Sequence, residues 1–111
     1  MKKRSFLGEF EELVLLTVIA LGDGAYGVSI MHEINEQTGR SVKLNQVHAT
    51  LHRLTEKAFV NSKMGAPTAE RGGRRKRMFT ASESGIRALQ EIQFVRQRLW
   101  NMAQLKPLSE I

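Results

Sequence analysis

Between residues 45 and 53 stand Asn45, Gln46, His48, Ala49, Thr50, His52 and Arg53. These side chains suit one kind of chemistry, contact with the edges of nucleic-acid bases. Asn and Gln pair bidentately with adenine and Arg with guanine, and a small methyl such as that of Ala49 or Thr50 packs against the thymine methyl. Val47, Leu51 and Leu54 are interleaved with them at helical spacing. That pattern predicts a helix over 46–57, with the three aliphatic residues inward and the polar set outward. Asn45 is read as its N-cap, because an asparagine side chain satisfies a free backbone N–H there. Arg53 is read as a phosphate or base contact, or as a partner of Glu56 three residues on.

His48 and His52 stand at i, i+4, a spacing that also suits a transition metal. No third ligand lies nearby, so no metal is assigned and both histidines are read as facing the same partner as their neighbours. A histidine titrates near pH 6.5, which would make binding through this face pH-sensitive.

A second constellation follows directly. Residues 63–77 carry Lys63, Arg71, Arg74, Arg75, Lys76 and Arg77 against Glu70 alone, so one short segment holds +5 of the formal net charge of +6. A localised basic patch is the electrostatic footprint of a polyanion. Phe59–Met64 and Arg75–Thr80 read as two strands, and the glycines and proline between them make the segment a hairpin with a longer loop. Gly72 and Gly73 leave its basic tip free to approach and adapt to a backbone.

Other chemistry lacks its residues. The chain has no cysteine, which excludes disulfides, thiolate nucleophiles and cysteine-bound metals. No Ser/His/Asp grouping lies in a recognisable motif, and the glycines match neither a phosphate-binding loop nor a dinucleotide fingerprint. No enzyme and no cofactor are assigned. The basic start, Lys2-Lys3-Arg4, precedes an apolar run at 13–21 that Thr17 interrupts and that three glutamates introduce. That run is far below the roughly 20 apolar residues needed to span a bilayer. We read no signal peptide and expect a cytoplasmic protein with no membrane contact.

The elements that must position these residues are helical. Glu9, Glu11 and Glu12 favour a helix N-terminus, and an apolar pattern carries that first helix to Leu21, where Gly22-Asp23-Gly24 ends it. Leu15, Leu16 and Ile19 widen its stripe almost all round, so it should be buried on more than one side. A second helix is predicted over 26–37, closed by Gly39. Ser41-Val42-Lys43 allows no more than a minor strand. Ser82 should cap a last helix whose stripe of Ile86, Leu89, Ile92, Val95, Leu99 and Met102 is long for a helix that nothing follows. Phe94 and Trp100 add apolar surface off that stripe, and such exposed surface calls for a partner.

The predicted fold is mainly α with a small β-hairpin wing: a winged helix-turn-helix over 1–81 and a C-terminal dimerisation helix over 82–111. In a helix-turn-helix the second helix of the pair lies in the major groove, here the helix at 46–57. The candidate DNA-binding residues are then Asn45, Gln46, His48, Ala49, Thr50, His52 and Arg53, with Lys63, Arg71, Arg74, Arg75 and Lys76 in the wing. Candidate dimer contacts are Phe10, Leu13, Leu89, Ile92, Val95, Leu99 and Met102. Trp100 is the candidate wall of a site for a small planar aromatic effector.

Leu7-Gly8-Glu9-Phe10-Glu11-Glu12-Leu13-Val14-Leu15, Gly24-Ala25-Tyr26-Gly27, Val47 to Leu54, Glu56-Lys57-Ala58-Phe59-Val60, Arg71-Gly72-Gly73-Arg74-Arg75-Lys76 and Gly85 together resemble the PadR family of transcription regulators over residues 7–100. The resemblance implies a homodimeric winged-helix regulator of double-stranded DNA, often a repressor released by a small molecule, and this chain resembles the family's short members. It departs from the pattern at His48, where the family usually has a tyrosine, at Met78-Phe79 in place of two aromatics, and at Ala81-Ser82 in place of Leu-Thr. The competing reading is a winged-helix adaptor that binds an acidic protein rather than DNA, since fold alone does not fix function.

Overall fold

The structure is a computed structural model that describes residues 7–67, 75–104 and 108. Helix α1 spans Glu9–Leu21 and helix α2 Gly27–Thr38, with a short 3-10 turn at Gly22–Gly24 between them. Helix α3 spans Leu44–Glu56, strand β1 Val60–Pro67, strand β2 Arg75–Ala81 and helix α4 Glu83–Ala103.

Helix α1 starts where its glutamates complement the helix dipole. Glu11 accepts the Gly8 N–H at 2.7 Å, which satisfies one donor that the first turn leaves open. Gly22 ends the helix at φ 57°. Val14, Leu15 and Val18 are fully buried, while Leu16 and Ile19 on the far side are exposed. The helix is therefore apolar on two sides but covered on one.

Helix α2 is launched by Ser29, whose hydroxyl accepts the Tyr26 N–H at 3.0 Å. It stops at Gly39, which adopts a left-handed conformation (φ 72°). The segment after it is not a strand. Asn35 instead takes both polar groups of Val42, accepting its N–H at 2.8 Å and donating to its carbonyl at 3.1 Å. One side chain thus does what a neighbouring strand would have done. The extra strand-like pairing lies elsewhere: Tyr26 forms an isolated bridge with Met78, and Phe79 N–H bonds the Ala25 carbonyl at 2.9 Å.

Helix α3 begins at Leu44, not after Asn45. Lys43 is the N-cap, and Gln46 Oε1 accepts its N–H at 2.8 Å. Asn45 therefore lies in the first turn, and the capping side chain is Gln46. After Glu56 the chain reverses through Ala58, which takes φ 62°. Strands β1 and β2 pair antiparallel with Val60 opposite Ala81 and Met64 opposite Arg77, and the register is irregular between Met64 and Pro67.

Ser82 caps α4 as expected, its hydroxyl accepting the Gly85 N–H at 3.0 Å. Gly85 is there because nothing larger fits: a Cβ at that position would lie 2.3 Å from the Phe59 carbonyl oxygen. One core joins all four helices and both strands, with Leu15, Ile30, Ile34, Leu51 and Leu54 its largest fully buried side chains. Truncating any one of these to alanine should cost about 2–5 kcal/mol. Leu89 belongs to this core at 8% exposure and Ile92 packs on its edge. The expected assignment of Leu89 to a dimer contact is therefore corrected, because its own chain already covers it. The half-buried Phe10 likewise packs against its own core.

Candidate nucleic-acid interface

Helix α3 turns one face to solvent. Asn45, His48, Ala49 and His52 are exposed on it, with Gln46 and Arg53 at its flanks. Their spacing of three to four residues places them along one side of the helix. Thr50 is the exception. It is 1% exposed, donating to the Gln46 carbonyl at 2.9 Å and accepting from Arg53 Nη2 at 3.0 Å. It stands three residues after Val47 and four before Leu54, on the inward stripe, so no base can reach it and the expected thymine contact is withdrawn.

Arg53 does not pair with Glu56. That glutamate faces His52, with Nε2 to Oε1 at 3.4 Å. Arg53 Nε lies 3.7 Å from Glu11 Oε2, while its side chain remains 53% exposed. Glu11 also receives Lys57 Nζ at 2.9 and 3.0 Å. Burial raises the pKa of the Glu11 carboxyl, but the Gly8 N–H, Lys57 and Arg53 outweigh it, and the net effect lowers that pKa below its ordinary value. A cation at the flank of this face is thus held from beneath by a buried anion on α1. Sequence reading missed both Glu11 and Lys57, which lie 46 positions apart; no local signal links them.

The wing strands carry their cations beside this helix. Lys63 on β1 and Arg75 on β2 are exposed, and Arg77 Nη1 donates to Ser62 across the hairpin at 3.1 Å. Lys76 is half-buried, with its ammonium 4.2 Å from the centre of the Tyr26 ring. Arg71 and Arg74 lie outside the described residues. Among the described residues, no group of three or more His, Cys, Asp or Glu is placed to hold a metal ion, and no helix is long and apolar enough to cross a membrane.

No family model matches the sequence, and no curated protein matches it. Solved structures do match. A PadR-like transcriptional regulator from Bacillus cereus superposes with a TM-score of 0.66 at 17% identity, over 87% of this chain and 93% of that one. A PadR family transcriptional regulator from Eggerthella lenta gives 0.65 at 19% identity, over 86% and 82%. Bacillus subtilis PadR, in complex with operator DNA, gives 0.61 at 21% identity, over 90% of this chain and 50% of that longer one.

This chain has the PadR-like winged-helix fold. Helix α4 packs on the core as far as Ile92 and extends beyond it as an arm. Arg96 grips Glu12 through both guanidinium nitrogens at 2.9 Å, which fixes the arm to α1. Beyond Ile92 its apolar side chains are bare: Val95, Leu99 and Met102 on the stripe, with Phe94 and Trp100 beside it, Trp100 at 63% exposure. Leu13 on α1 is half-buried.

Proposed function

We propose that this chain is a sequence-specific, double-stranded-DNA-binding transcription regulator of the PadR type that acts as a cytoplasmic homodimer. One observation carries this reading. An uncharged reading face on α3 stands next to a basic hairpin, on a fold that Bacillus subtilis PadR uses in its operator complex. The face suits direct readout, with His48, Ala49 and His52 toward base edges and Asn45 at the helix start. Lys63, Arg71, Arg74, Arg75 and Lys76 supply phosphate or minor-groove contacts from the wing, and Arg53 a phosphate contact from the flank of α3.

The exposed apolar side chains of α4 support the dimer. Val95, Leu99 and Met102 form an apolar strip that a second copy of α4 would cover, and the half-buried Leu13 is assigned to the same interface. Residues 1–81 then form the DNA-binding unit and 82–111 the dimerisation arm. Two recognition helices in successive major grooves sit about 34–36 Å apart, so the target is an inverted repeat. Selection from a randomised duplex pool tests this directly. Recovery of an inverted repeat with that spacing supports the reading, and a pool that stays random contradicts sequence-specific binding.

Within this reading the regulator is a repressor, and a small planar aromatic molecule releases it by stacking on Trp100 between the two α4 helices. Trp100 is the sole tryptophan, so its fluorescence reports on that site alone. A panel of planar cations and phenolic compounds should include a quencher, and unchanged emission across the panel contradicts the effector role.

A further inference from the structure

The dipeptide Tyr26-Gly27 touches both reading elements at once, although neither residue belongs to either. Tyr26 bridges Met78 of β2, and the neighbouring Ala25 carbonyl takes the Phe79 N–H at 2.9 Å. The Tyr26 ring then receives the Lys76 ammonium at 4.2 Å from its centre, a distance at which the ring quadrupole attracts a cation. On the other side, the bare Cα of Gly27 forms the seat of His48. A Cβ there would lie 2.8 Å from His48 Cε1 and 3.1 Å from its Nε2, so the imidazole would have to move. The first residue of α2 is thus the floor under an imidazole of the recognition helix, and the residue before it is the floor under a cation of the wing.

We propose that Tyr26 and Gly27 are positioning residues for DNA binding, Tyr26 acting through Lys76 and Gly27 acting through His48. This rests on the DNA-binding reading above. The long lysine stem is rotamer-rich when free, and stacking on a fixed ring removes that freedom before DNA arrives. The imidazole is confined in the same way by the helix start beneath it.

The test is a pair of double-substitution cycles on the intact chain. A labelled random-sequence duplex serves for the wing. Tyr26→Leu should weaken binding about two- to tenfold, the range that leaving one rotamer-rich side chain to be ordered on binding gives, while Tyr26→Phe should bind like wild type. In a Lys76→Gln background Tyr26→Leu should change nothing further. An equal loss in both backgrounds, or no loss at all, overturns the Tyr26 assignment. Should Tyr26→Leu fail to fold, the wild-type chain still answers by NMR. Tyr26 is the sole tyrosine, and its ring should keep its contact with the Lys76 ε-methylene when duplex is added; loss of that contact overturns the assignment.

For Gly27, selection from the randomised pool should give Gly27→Ala the same altered base preference as His48→Ala, with the double variant matching His48→Ala alone. A Gly27→Ala variant that selects wild-type sequences while His48→Ala does not would overturn the Gly27 assignment. Wild-type chain that binds no duplex at low salt would instead overturn the DNA-binding reading on which both rest.

Discussion

Arg53 lies on the edge of the exposed face of α3 with its Nε 3.7 Å from Oε2 of Glu11, a carboxylate on α1 whose side chain is only 10% exposed. The same carboxylate binds Lys57, at the end of α3. A single buried charge therefore ties the first helix to both Arg53 and Lys57 of the α3 end, and leaves about half of the Arg53 side chain exposed, 53%, for the proposed phosphate contact. Electrostatics and architecture are coupled here through one residue.

Glu11→Gln should lower stability by about 1–3 kcal/mol, the range for losing hydrogen bonds to charged groups in a partly dry site. Urea unfolding at neutral pH measures it. An unchanged midpoint would mean that Lys57 and Arg53 find equivalent partners elsewhere.

The same carboxylate sets an acid dependence. Its folded pKa lies below the ordinary 4.5, so the unfolded chain takes up the proton more readily. The contribution of Glu11 is present above pH 4.5 and is lost as the pH falls through its lower folded value. Wild type should lose more stability than Glu11→Gln over that acid range. Parallel unfolding curves from pH 6 downwards would contradict the assignment.

Leu89 and Leu99 should behave oppositely, though both lie on one stripe of α4. Leu89→Ala removes a core side chain and should cost about 2–5 kcal/mol with the assembly intact. Leu99→Glu places a charge on a residue that is 58% exposed in the single chain. It should leave the fold intact and abolish the proposed dimer, as sedimentation equilibrium would show. A Leu99→Glu chain that stays dimeric would remove α4 from the interface.

Gly85→Ala should be among the most damaging single-methyl changes. Its Cβ would meet the Phe59 backbone carbonyl at 2.3 Å, not a movable side chain, so the start of α4 must shift away from Phe59. Overpacking of this kind costs about 1–3 kcal/mol or more. A thermal melt unchanged from wild type would show that the helix start can relax.

Much of this was legible in the sequence because local rules agreed. The acidic first turn and Gly22 bound α1 at Glu9 and Leu21, and Ser82 marked the start of α4. Helical spacing carried the signal for Thr50 as well, since it falls in register with Val47 and Leu54, but its polar type argued for the outer face. The start of α3 was misplaced because Lys43 is a poor cap by type and Gln46 supplies the missing acceptor. What stayed hidden was long-range. Glu11 with Lys57, Glu12 with Arg96 and Tyr26 with Lys76 are joined only by the fold. None of these pairings follows from spacing along the chain.

The most direct test is the salt dependence of duplex binding by the intact chain, followed by fluorescence anisotropy at about 50 and 200 mM salt. If α3 and the wing together make six to ten phosphate contacts, affinity should fall roughly 10³–10⁵-fold over that range. Arg75→Ala should reduce the slope of the log–log plot by about 0.9. Absence of binding at the lower salt would contradict the account and turn attention to an acidic protein as the partner of the wing.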